Sequence, residues 1–332
     1  MSGTAVGPIL LPSNQPPARF YRGGRRISEF RHELPSPPNT PEDWVGSTTS
    51  VRGNAPVGMT RLGDGTLLAD AIASDPKSWL GSDHVARFGI DTMLLVKLLD
   101  AGQRLPVHAH PDASFAARHI AATHGKAEAW YILTPGVVHL GLNQSVTLEQ
   151  LGALVAQQDT AALLALTHGV PVEPGDTVFV PPGVLHAIGE GILLVEVQEP
   201  EDLSILLEWK GFDLDGEHDG HLGLGFELAL KAVEIHARSR DEIDSLVRRA
   251  PPPGSVLSAE SEAFFRLDRV HSRADFPAGF SIIIALDTAA NLTLASGAEM
   301  PLHPGSTTLV PHVSGSFRVG GDALVARPPA GS

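Results

Sequence analysis

The 332-residue chain contains no cysteine. Disulfides and thiolate ligands are both excluded, so any bound metal must be held by nitrogen and oxygen. A reducing cytoplasm is the natural compartment, although lacking cysteine would be harmless outside the cell. Aromatic residues are scarce, at 5%, and no apolar stretch approaches the roughly 20 residues that span a bilayer. Positive charge is also short: 24 Lys and Arg stand against 38 Asp and Glu, for a formal charge of −14. Nucleic acids and anionic membranes need basic surface, so neither is expected as a partner, and phosphorylated substrates gain no general attraction. The opening MSGTAVGPILLPSNQPPARFYRGGRRI has a short apolar run broken by Pro with no basic segment before it, so it does not read as a signal peptide.

Glycine (34) and proline (27) are plentiful, and the hydrophobic runs are short. That balance predicts a mainly β, turn-rich architecture. The length allows two domains, each with its own core. Three prolines and a glycine in Pro251-Pro252-Pro253-Gly254 impose an extended connection, which divides the chain into residues 1–250 and 251–332. Apolar spacing predicts a helical insertion over about 147–168, with Thr147 as N-cap and Glu149 in the first turn. A second, largely buried helix is expected from about Leu224 to Ala237. Beyond the linker, FSIIIALD, NLTLAS, STTLVPH and ALVARPP form the strand pattern of a second small barrel or sandwich.

Within the first segment stand His108-Ala-His110, then Glu128, then His186. Residues two apart on a strand share a face, so His108 and His110 point the same way, as do Lys126 and Glu128, with Ala127 turned outward. Glu196 and Gln198 likewise share a face. Imidazole and carboxylate ligands of this number suit zinc or another divalent transition metal, and a site of this kind leaves room for substrate. His119, His124, His139 and His168 lack comparable context and are not expected to be ligands. Trp130 reads as core or pocket wall, and Asp202 and Glu208 as solvated or capping residues.

Gly102-x5-His108-x-His110 and Gly175-x5-Pro181-x-Gly183-x2-His186 resemble the two motifs of the cupins. Gly305-x5-Pro311 echoes the second of them, but Ser316 falls where the histidine would be, so the C-terminal copy is expected to be a degenerate, metal-free cupin. The order of RGGRRI, PEDWVGST, LLVKLLDAGQRLPVHAHPD, GKAEAWYIL, VEPGDTVFVPPGVLHAIG and LLVEVQEPEDLS resembles the type I mannose-6-phosphate isomerases over nearly the whole chain. The resemblance implies two cupin barrels with a helical insertion. It implies a cytoplasmic metal-dependent aldose-ketose isomerase, with mannose 6-phosphate and fructose 6-phosphate as the default pair. It places His108, His110, Glu128 and His186 on the metal, with Lys126 and Glu196 as candidates for the catalytic groups facing a sugar or sugar phosphate.

Around those ligands the sequence departs from the family pattern. Pro106-Val-His108-Ala-His110 stands where Ser-x-Gln-x-His is usual, and Ser204-Ile205-Leu206 stands where Thr-Tyr-Arg is usual. A leucine offers a phosphate nothing, whereas an arginine offers a bidentate fork. Two outcomes follow: Arg104, Lys210 or Arg22 compensates from another loop, or the sugar is not phosphorylated. Glu196 and Gln198 either contact substrate or support the site by hydrogen bonds. The alternative to an enzyme is a metal-dependent sugar-binding or regulatory cupin, and metal-dependent oxygenation is a weaker third reading that rests on the scaffold alone.

Overall fold

The computed structural model describes residues 7–330, so the first residues of the segment judged not to be a signal peptide lie outside it. Four antiparallel sheets account for the mainly β character expected. The first orders its strands Val247–Arg248, Thr177–Val180, Glu128–Ile132, Leu193–Gln198, Leu95–Asp100 and Glu42–Val45. The second runs Ile205–Leu206, His108–Ala109, His186–Ile188, Gly136–Leu142 and Thr167–Val172.

The central strands Leu95–Asp100 and Leu193–Gln198 are buried at every position because both faces of their sheet are covered. One face carries Val96, Leu98, Val195 and Val197, which share a core with Ile282, Ile284, Leu324 and Ala326 of a later sheet. The other face carries Lys97 and Glu196, directly opposite each other in the register, together with Glu128 and Trp130 on the neighbouring strand. A period of two thus sorts one strand into an apolar core face and a charged interior face.

The outer face of the second sheet, with Val107, Ala109, Leu185 and Ala187, packs on the insertion through Leu151, Val155 and Leu163. The insertion is two helices, Leu148–Gln157 and Thr160–Ala165. It ends earlier than expected, since Thr167 and His168 already belong to the next strand. Thr147 caps the first helix, and Gln150 completes a reciprocal capping box with it.

The helix expected over 224–237 is a correction. Only Phe226–Ala229 is α-helical, followed by a 3-10 turn at Leu230–Ala232. Past it the backbone is drawn off into bonds with other segments: Glu234 N–H to Gly183 O, Val146 N–H to Ile235 O and Arg238 N–H to Leu142 O. Ala229, Leu230 and Val233 are buried as expected, but by an irregular path. Three short helices, Leu68–Ser74, Pro76–Leu80 and Ser82–Phe88, carried no periodicity that the sequence reading picked up.

The strand-like runs after the linker are strands. Ser281–Ala285, Thr307–Val310 and Ala323–Arg327 join Arg266–Val270 and Gly254–Ser255 in a six-stranded sheet. Ala290–Leu294 lies in a four-stranded sheet that faces it across Ile283, Val310, Leu292 and Phe317. Ile9–Leu11 pairs with Thr307–Val310 at the edge of the six-stranded sheet, so the start of the chain crosses to the later segment. The Gly-x5-Pro echo is structural: Gly175 and Gly305 both hold positive φ, at 91° and 74°, which lets the chain turn sharply into the strands Thr177–Val180 and Thr307–Val310.

Candidate metal centre

His108, His110 and His186 project between the first two sheets, with one ring nitrogen of each within 4.8 Å of the others. His108 and His186 are register partners on adjacent strands, and their ring centroids are 4.0 Å apart. Each imidazole is anchored by Nδ1 to a backbone carbonyl: His108 to Pro106 O at 2.8 Å, His110 to Leu203 O at 2.6 Å and His186 to Val184 O at 2.8 Å. A carbonyl only accepts, so Nδ1 carries the proton and each Nε2 keeps a lone pair.

Glu128 completes the group. Its Oε2 lies 3.0 Å from His110 Nε2 and its Oε1 lies 3.2 Å from His186 Nε2. Tetrahedral ligands at roughly 2.0–2.1 Å from a zinc ion stand about 3.3 Å apart, so these spacings fit a shared cation. Electrostatics points the same way, because facing lone pairs repel unless a positive charge lies between them. Lys126 Nζ supplies charge on one side, 2.6 Å from Glu128 Oε2 and 2.9 Å from His110 Nε2. On the other side His186 Nε2 is buried with no hydrogen-bond partner. The three imidazoles, with Glu128 beside two of them, therefore form a donor set that fits a divalent transition metal.

Burial favours the neutral, metal-binding form of two of the imidazoles. Desolvation, reinforced by His186 and His110, holds His108 well below the usual imidazole range. Desolvation and the Lys126 charge bring His110 down to about 3. Burial alone would raise Glu128, but Lys126 and the imidazoles outweigh it and hold the carboxyl well below its ordinary value. Trp130, fully buried, donates its Nε1–H to Glu128 Oε1 at 3.1 Å, so the residue read as core or pocket wall also orients a carboxylate.

A cavity of about 630 Å³ opens in front of this group, lined by His108, Lys126, Glu128 and Glu196 among others. Lys126 faces inward as expected. Ala127 does turn away from it, but into the apolar core rather than outward to solvent, and is fully buried. Gln198 does not line the cavity; its side-chain amide donates to Glu199 O and Glu201 O, fixing the turn after the strand. Glu208, expected to be solvated or capping, is 1% exposed and takes a bidentate pair from Arg104 as well as the Val107 N–H. Of the histidines set aside, His124 pairs with Asp91 at 2.7 Å, His139 with Thr167 and His168 with Arg238 O.

The sequence reading missed a second polar layer. Glu42 accepts from Tyr21 Oη at 2.6 Å and Trp44 Nε1 at 2.7 Å, and pairs with Arg19 at 3.2 Å and Lys97 at 3.5 Å. Lys97 also lies 3.1 Å from Glu196 Oε1. Burial, with the Glu128 charge beside it, pushes the Glu196 carboxyl up from its ordinary value despite Lys97. The available signal was one lysine inside the apolar run LLVKLL, since an unpaired lysine is almost never fully buried.

No family model matches the chain. Among curated proteins, mannose-6-phosphate isomerase ManA of Bacillus subtilis is 34% identical over 232 residues, covering 68% of this chain and 70% of that protein. Mannose-6-phosphate isomerase of Streptococcus mutans is 30% identical over 217 residues, covering 64% of this chain and 62%, less than two thirds, of that protein. A solved zinc-bound mannose 6-phosphate isomerase superposes with a TM-score of 0.75 at 15% identity, covering 98% of this chain and 100% of that one, which shows the same fold.

Proposed function

The chain belongs to the mannose-6-phosphate isomerase family, and from that premise we propose that it is a metal-dependent aldose-ketose isomerase. The observation that supports this most directly is the convergence of three imidazoles, each anchored at Nδ1 by a carbonyl, on the Glu128 carboxylate at the floor of a sugar-sized cavity. The relatives' names give mannose 6-phosphate as the reference substrate, with fructose 6-phosphate as its ketose. Zinc is the reference metal, from the zinc-bound neighbour.

His108, His110, Glu128 and His186 would hold the ion, which when bound would supply a Lewis acid that draws charge from the sugar's carbonyl oxygen. The isomerisation moves a carbon-bound proton from C2 to C1 and a hydroxyl proton from O2 to O1. Glu196, lining the cavity with a carboxyl raised from its ordinary value, takes the C2 proton and returns it to C1. Lys97, 3.1 Å away, favours the carboxylate form of Glu196. Lys126 presents N–H donors to the oxygen on which negative charge develops, while Glu128 fixes its position.

We place this activity in residues 1–250, with 251–332 as a supporting cupin that backs the first sheet through the shared core. Among the described residues no helix is long and apolar enough to cross a membrane, and a cytoplasmic location is part of the proposal. The test is chelated protein reconstituted with zinc, manganese or cobalt and assayed for aldose-to-ketose conversion, with His110→Ala as control. Expected is turnover that tracks metal content, with solvent deuterium entering C1 of the ketose. Metal-dependent sugar binding without turnover would sink the enzyme reading, and failure to hold any of the metals would sink the metal centre.

A further inference from the structure

A second cavity shares no residue with the first. We propose that it binds a phosphoryl dianion, free or on a small ester, held by Arg87, Arg266 and Arg327. The cavity measures about 300 Å³ and lies where the helix Ser82–Phe88 meets the 277–280 loop and the end of the strand Ala323–Arg327. In a chain of formal charge −14, its lining sets three arginines against one carboxylate, the exposed Asp83.

Arg266 and Arg327 are direct partners across neighbouring antiparallel strands. Like charges in that position repel, and both side chains are partly withdrawn from the water that would screen them. The Arg327 side chain is 13% exposed and has one answering carboxylate, Asp268 at 2.6 Å. Its Nε is buried without a hydrogen-bond partner. Arg266 donates its Nε to Pro328 O at 2.7 Å, and its terminal nitrogens have no partner among the described residues. Burial, and then the Arg327 charge, draws the Arg266 guanidinium down to about 10. Arg87 comes from the helix, with Nη1 on Ala330 O at 3.3 Å, which leaves its other nitrogens free to turn inward.

An anion between these side chains converts the repulsion of the cross-strand pair into attraction to a shared centre. The arginines reach the cavity from two separate elements of the fold, and a phosphoryl group has three oxygens to offer them. A carboxylate has two, which a single guanidinium fork already occupies. Because Arg87 belongs to residues 1–250 and the other two to 251–332, the bound ion also ties the two segments together and stabilises the fold by linkage.

The test is thermal unfolding of metal-loaded protein with and without inorganic phosphate at constant ionic strength, for wild type and Arg266→Gln. Wild type should gain Tm as phosphate rises, and the variant should gain less than about a third as much. An equal gain in both would place the phosphate elsewhere, at the metal for instance, and would overturn the proposal. Arg87→Ala alters an exposed side chain and keeps the fold intact; the phosphate Kd read from its Tm series should weaken roughly threefold or more, and an unchanged Kd would overturn the three-arginine site. Acetate should stabilise wild type far less than phosphate does, and an equal gain would overturn the assignment to a phosphoryl group. Glycerol phosphate run beside inorganic phosphate distinguishes the two sources: the tighter Kd marks the form that the cavity takes, and no gain from either would overturn the site.

Discussion

Replacing Glu42 by Gln removes one buried negative charge and nothing of the side chain's size. Glu42 is 3% exposed and meets four donors, the Tyr21 hydroxyl, the Trp44 indole, the Arg19 guanidinium and the Lys97 ammonium. The amide keeps one oxygen for some of them but turns an NH2 toward the others, and two buried cations lose their shared counter-charge. Breaking a buried pair costs about 3–5 kcal/mol, and the retained oxygen argues for the lower end, about 3 kcal/mol. For 332 residues the unfolding entropy is roughly 0.7 kcal/mol/K, so Tm should fall by about 4 °C if unfolding is one transition.

The loss should depend on pH, with a sign fixed by the carboxyl. Burial alone would raise the Glu42 pKa, but Arg19, Lys97 and the Tyr21 and Trp44 hydrogen bonds outweigh it and hold the carboxyl far below its usual range. A depressed carboxylate stabilises the fold above its unfolded pKa, near 4.5, and that contribution is lost as pH falls below it. Urea unfolding of chelated wild type and Glu42→Gln between pH 4 and pH 8 should therefore show a gap that narrows toward acid. The same change removes a negative charge that raises Glu196, so the acid limb of kcat/KM should move to lower pH. A destabilisation below about 1 kcal/mol at neutral pH, or a gap that widens on acidification, would refute the reasoning.

His186→Ala should abolish retention of zinc in elemental analysis while the far-ultraviolet circular dichroism stays that of a β protein, because the strand backbone does not depend on that side chain. Lys126→Met should keep the metal and lower kcat by about a hundredfold or more, the range for a positioned proton or oxyanion donor; an unchanged kcat would remove Lys126 from the chemistry. Glu208→Gln should destabilise by about 3 kcal/mol in urea unfolding, since it strips Arg104 of its bidentate partner and weakens the bond to Val107 N–H.

The sequence by itself determined what depends on near neighbours in the chain. Strand periodicity put His108 with His110 and Lys126 with Glu128 on shared faces, turn chemistry repeated Gly175 and Gly305 ahead of matching strands, and Thr147 announced the insertion helix. The absence of cysteine left only imidazoles and carboxylates to hold a metal. Tertiary structure decided what depends on segments meeting from far apart. The 224–237 segment has helical spacing, yet its backbone bonds go to 183, 146 and 142, which no local pattern encodes. Glu42, Lys97 and Glu196 form one charged layer only because three strands distant in sequence lie side by side. Arg104 could be judged free or committed only once Glu208 was seen beside it. Propensity and periodicity act over a few residues and are written locally, whereas the pairing of buried charges is a property of the assembled interior, where each ion must find its partner out of water.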